Sequence, residues 1–166
     1  MFELKPLSRE AIPRALEKAE RYRLLNEPVE AESICRDILR LQPDDQRALV
    51  MLLLALSDEF EEGIPDAVAH AQDILGSLKD AYERAYYSGI VSERRAKAQL
   101  HQGRPGSGYA AYDLIREAMS FYEKAEALRP PGNDDALLRW NACVRILQRH
   151  PHLGPAPAER FEPSLE

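Results

Sequence analysis

The apolar positions of this chain recur with a helical period along most of its length. Two segments share one spacing. Ala31, Cys35 and Ile38 precede Pro43, and Ala118, Tyr122 and Ala125 precede Pro130, with steps of four, three and five residues in both. Steps of four and three put the first three residues of each set on one helix face. The proline then stops the helix. Each stop belongs to a longer phrase that also opens the next helix: Leu39-Arg40-Leu41-Gln42-Pro43-Asp44-Asp45 and Leu128-Arg129-Pro130-Pro131-Gly132-Asn133-Asp134-Asp135. A helix-and-stop pattern occurring twice predicts a helical repeat array. No segment alternates at period two for long enough to predict a strand.

Punctuation divides the chain into seven predicted helices. The first lies between Ser8 and about Leu25, with Pro13 near its first turn. The second starts at Pro28 and ends before Pro43. The third opens on Asp44 as N-cap and runs to about Glu62, where Gly63 stops it. The fourth runs from near Pro65 to Gly76, and the fifth from about Asp80 to His101. The sixth spans Gly108 to Leu128. The seventh is capped by Asn133 or Asp134 and ends before Pro151. The third contains Leu49-Val50-Met51-Leu52-Leu53-Leu54-Ala55-Leu56, apolar on every side, so it needs neighbours on every side. The short connections at Asn26-Glu27, Gly63-Ile64 and Arg104 to Ser107 predict three antiparallel pairs. The seventh helix then covers the last apolar face, with Trp140, Val144 and Leu147 along one side and Trp140 as core. Residues 1–149 form the helical domain, and 150–166 a proline-rich extended tail.

Composition narrows the function. With 166 residues and 45% apolar content, the chain can bury one core without disulfides or metals. The formal net charge of −6 argues against nucleic acid as a partner. Cys35 and Cys143 lie inside helical runs and are expected to be buried as small apolar residues. The N-terminal residues lack a signal pattern, and the longest apolar run, Ala48 to Leu56, is too short to span a bilayer. The expectation is a cytoplasmic protein with no membrane partner. The oligomeric state stays open, a homo-oligomer included.

Local signs of catalysis are missing. Arg104-Pro105-Gly106-Ser107-Gly108 has no Lys-Ser/Thr ending and no preceding strand, so it is not a phosphate loop. His150 and His152 lack a third metal ligand. Asp58, Glu59, Glu61 and Glu62 lack calcium-loop spacing and are read as a solvated helix end. No catalytic residue, cofactor or metal is therefore expected. The alternative is an accessory or regulatory subunit of an enzyme complex, or an enzyme whose site is dispersed in sequence.

Ile12 to Asp45 resembles one tetratricopeptide repeat, through Ala19, Tyr22, Ala31, Cys35, Ile38 and Pro43, with Cys35 in place of the usual aromatic. The sixth helix resembles the second half of such a repeat through Ala118, Tyr122, Ala125 and Pro130. The fourth does so weakly, through Ala67, Ala71 and Ile74, and Lys79 stands where the proline is expected. The resemblance runs from about Ile12 to Arg149, and the fifth and sixth helices exceed the family length. It implies an all-α fold: a right-handed α-α superhelix of three such helix pairs plus a C-terminal capping helix. It also implies an adaptor or scaffold that holds a protein or peptide partner in its concave groove. Matching the repeats assigns Leu16, Glu20 and Arg23 to that groove from the first helix, and Arg47, Val50 and Leu54 from the third. The fifth supplies Tyr87, Val91, Arg94 and Arg95, and the seventh Asn141 and Arg145. Tyr86 and Tyr87 both suit the anchor of the fifth helix, which leaves two registers one residue apart. The lysine and asparagine set with which some family members clamp a terminal carboxylate does not stand at these positions, and Glu20 would repel such a ligand. An apolar strip beside arginines suits a ligand with an apolar anchor and a carboxylate. Glu159, Phe161, Glu162 and Leu165 of the tail have that character, which makes the tail a candidate occupant.

Overall fold

The three-and-four spacing becomes helix throughout. The computed structural model of the protein describes residues 1–157, and these contain seven α-helices and no strand. They are α1 (Ile12–Leu24, behind a 3-10 turn at Arg9–Ala11), α2 (Pro28–Leu41), α3 (Gln46–Asp58), α4 (Ala67–Ser77), α5 (Ala81–Gln102), α6 (Ser107–Leu128) and α7 (Asp135–Arg149). Pro13 and Pro28 occupy first turns, where a missing N–H costs nothing. Asp80 caps α5 by accepting the Glu83 N–H at 2.8 Å. No described helix is long and apolar enough to cross a membrane.

Three boundaries differ from the sequence reading. Asp45, not Asp44, caps α3, with its carboxylate accepting the Ala48 N–H at 2.9 Å. Asp44 belongs to the preceding turn, where its carbonyl takes the Gln46 amide. α3 ends at Asp58, and a 3-10 turn at Phe60–Glu62 follows, closed by Gly63 at φ 68°. The tighter turn carries Phe60 into the core at 5% exposure and meets α5. α4 begins at Ala67 because Asp66 takes a left-handed conformation at φ 65°.

Each helix packs on the next in sequence, and α1 and α5 also reach α3. α3 therefore touches α1, α2, α4 and α5. Leu53 and Ala55 are fully buried, and Val50, Met51 and Leu54 pack against the surrounding core. One core joins α1 to α4 with Val91 and Ala98 of α5. A second joins α5, α6 and α7 around Ile90, Ile115, Tyr122 and Cys143, and Leu54 and Tyr87 touch both. Cys35 and Cys143 are fully buried, and burial pushes each thiol up to about 12. Trp140 packs against the second core, and its indole N–H donates to Glu123 at 3.0 Å. Packing continues past α7, since Leu153 is buried in the second core, close enough to Gly108 that a Cβ there would touch it. Glu159, Phe161, Glu162 and Leu165, the proposed self-docking set, lie outside the described residues.

α5 and α6 approach so closely that a Cβ on Gly89 would overlap the Tyr122 ring. Gly89→Ala is expected to destabilise the fold by about 1–3 kcal/mol, the usual cost of overpacking. Leu53→Ala is expected to cost about 2–5 kcal/mol through the cavity it leaves in α3's surroundings. Urea unfolding followed by circular dichroism measures both. An unchanged midpoint for Leu53→Ala would show that α3 is not the centre of the core.

Candidate functional site

The face shared by α1, α3 and α5 carries a three-membered ion cluster. Asp58 ends α3, Arg23 lies in the last turn of α1, and Arg94 lies in the middle of α5. Arg23 Nε donates to Asp58 Oδ2 at 2.6 Å, and its Nη2 reaches Oδ1 at 3.4 Å. Arg94 Nη1 meets the same Oδ1 at 2.6 Å. That nitrogen also donates to the Leu54 carbonyl at 3.0 Å and to the Ser57 hydroxyl. A helix C-terminus favours cations nearby, which adds to the fit. Burial lowers the Arg94 pKa, and Asp58 offsets part of that effect. Asn26, Ser57 and Glu61 join the three ionic residues around a cavity of about 250 Å³.

Two guanidiniums share one carboxylate, so the trio carries a net positive charge. Arg23 Nη1 and Arg94 Nε and Nη2 make no hydrogen bond among the described residues. Asp58 fixes both side chains while donors stay available for an anion. Glu61 is exposed at the cavity and is the only other carboxylate lining it among the described residues.

A second ionic group braces α5 against α6 and α7. Glu93 is 1% exposed. Tyr122 donates to its Oε2 at 2.7 Å, Lys97 to its Oε1 at 2.5 Å, and Arg139 Nη1 stands 3.4 Å from Oε1. Burial pushes the Glu93 pKa up, but these hydrogen bonds and charges outweigh it and hold the carboxyl below its ordinary value. Tyr86 stacks on Tyr82 at 5.8 Å and meets Tyr87 edge-on at 5.2 Å.

Among the sequence-predicted groove residues, the structure brings Arg23, Leu54 and Arg94 together. Tyr87 is half-buried where the two cores meet, and burial pushes its hydroxyl up to about 12. Val50 is half-buried on α3. Leu16 and Val91 are 5% and 2% exposed, so both belong to the wall behind the face and offer a ligand no contact area. Arg47 is exposed at the opposite end of α3, roughly 16 Å from Asp58 along the helix. Asn141, half-buried on α7, bonds to none of the cluster. The sequence reading missed Asp58, Ser57, Glu93 and Arg139. Asp58 had a signal: it lies 35 residues beyond Arg23, with Arg94 at nearly the same interval again, about one helix pair apart.

The acidic string from Asp58 to Glu62 is only partly the solvated helix end its composition suggests. Glu61 and Glu62 are exposed, whereas Glu59 is 1% exposed and its Oε1 has no hydrogen-bond partner. Burial raises its pKa first, and Glu32, Glu62 and Asp58 add to the rise against Arg36. A carboxyl whose folded pKa is raised stabilises the fold fully below its unfolded value, and loses that contribution as pH rises through the folded value. Glu59→Gln is therefore expected to stabilise the protein at pH 7 by about 1 kcal/mol, the low end for removing an unpaired buried charge. The advantage should shrink toward about pH 4, near the unfolded glutamate pKa. Urea midpoints of both proteins at several pH values test this, and parallel curves would refute it.

Compared with protein-family models, curated proteins and solved structures, the chain matches none of them.

Proposed function

We propose that the chain is a tetratricopeptide-like array of three helix pairs with a capping helix, and that it serves as a protein-interaction adaptor without catalysis of its own. The face of α1, α3 and α5 holds a peptide or partner segment. The observation that carries this reading is the Arg23–Asp58–Arg94 cluster, which ties three alternate helices together and keeps guanidinium donors open to a cavity. Guanidiniums stay charged at neutral pH and pair with carboxylates through two parallel hydrogen bonds. They suit holding an anion better than moving a proton. Leu54 and Tyr87 supply apolar area alongside, as an anchored peptide needs. The two buried cysteines are free, which supports a reducing, cytoplasmic setting.

Selection from a random peptide library on the intact chain tests the reading. Enriched peptides are expected to combine a carboxylate with an aromatic or aliphatic side chain. Arg94→Ala with Tyr87→Ala should weaken the best of them by about a hundredfold, as for two hot-spot residues. Thermal melts of the variant separate lost binding from lost fold. No enrichment, or binding indifferent to the pair of changes, would remove the groove.

A further inference from the structure

Among the described residues, the outer side of the first helix pair is open. Between α1 and α2 lies a groove of about 370 Å³ with Leu7, Ala15, Tyr22 and Ile34 along it. Through Lys18 and Tyr22 it continues into a hollow of about 560 Å³ on the outer side of α1. Leu24 is 81% exposed, Leu25 62% and Val29 57% at the same end of the pair. The far end of the protein differs, because α7 and Leu153 cover α6 there.

The charges around this groove are sorted by helix. The α1 rim carries Arg14, Lys18 and Arg21, with Glu17 among them, and stays net positive. Along the groove itself the α2 rim carries Glu30 and Asp37, while Lys5 and Arg40 adjoin Asp37 at its far end. None of these eight makes an ion pair among the described residues. Lys18 instead rests its ammonium 5.9 Å over the Tyr22 ring.

That sorting selects an occupant. Two copies meeting face to face by a twofold axis across the helices would set α1 on α1 and α2 on α2, like charge on like. A twofold axis along the helices sets α1 of each copy on α2 of the other. Cations then meet carboxylates twice, since every contact in a twofold interface occurs in duplicate. The apolar strip lies between the two charged rims, the usual plan of an interface with a polar edge. The chain's net charge of −6 opposes self-association at a distance, but physiological salt screens it beyond about 8 Å. We propose that this face is a homodimer interface, α1 of one copy packed on α2 of the other. The inference is independent of the peptide groove, because the two surfaces share no lining residue.

Analytical ultracentrifugation of the whole chain at 150 mM salt, from about 1 to 100 µM, provides the test. Wild type is expected to dimerise within that range. Arg14→Glu with Lys18→Glu makes the α1 rim anionic, and Glu30→Lys with Asp37→Lys makes the α2 rim cationic. Each variant alone should self-associate at least about tenfold more weakly, because both copies of each contact become repulsive. An equimolar mixture should recover wild-type affinity, since each reversed rim then finds its complement. Leu7→Asp, within the apolar strip, should weaken association independently of the reversals, and circular dichroism confirms that each variant is folded. Monomeric wild type at the highest concentration, a dimer indifferent to both reversals, or a mixture no tighter than its components would overturn the proposal.

Discussion

A helix with apolar residues on every side cannot rest at the edge of a protein in water. α3 is that helix, and the other elements are disposed as its burial requires. α1, α2, α4 and α5 all pack against it. Leu53 alone, fully buried, removes enough apolar surface to contribute roughly 1.5–3 kcal/mol relative to exposure. Covering α3 also decides where its polar end goes. Asp58 emerges from the core between α1 and α5, where Arg23 and Arg94 meet it. The ion cluster is thus a consequence of hydrophobic packing, and the packing holds the arginines in place for any ligand.

Three carboxylates near the core meet three fates, and the differences follow from their partners. Glu93 is almost wholly buried, yet Tyr122, Lys97 and Arg139 surround it and more than compensate its lost hydration. Asp58 is partly exposed and shared by two guanidiniums. Glu59 is as buried as Glu93, but the nearby Arg36 is engaged by Glu32. It receives neighbouring negative charge and no hydrogen bond on Oε1. Desolvation without a partner is costly, so Glu59 is locally destabilising, one residue from Asp58 of the proposed ligand cluster.

The fold was legible where chemistry is local. Pro13 and Pro28 mark helix starts, Asp80 caps α5, and the step of four, three and five before Pro43 and Pro130 marks buried faces. The site was half legible. Arg23, Leu54 and Arg94 follow from a face repeated every helix pair. Asp58 and Glu59 did not follow, because they sit in one acidic string. Successive helical residues point about 100° apart, so two adjacent acids can face different neighbours. Composition sees the string, and only packing sees which acid meets an arginine. Leu16 and Val91 failed for a related reason: a repeat register assigns a face but not the depth at which neighbouring helices cover it.

α1 contributes to both proposed surfaces without sharing residues between them. Arg23 faces α3 and α5, while Lys18 and Tyr22 line the opposite groove. A helix can do this because its sides are set by residue spacing, so neighbours in sequence serve different faces. Pairing of two copies through the outer groove would leave each Arg23–Asp58–Arg94 cavity open. It would also double the sites in one particle. A partner carrying two suitable segments would then bind the second one intramolecularly, at an effective concentration set by its linker. Modest affinity at each groove would suffice for stable capture. A single groove with one shared carboxylate and a few open guanidinium donors would by itself hold a flexible peptide only weakly, because ordering the peptide consumes much of the contact energy.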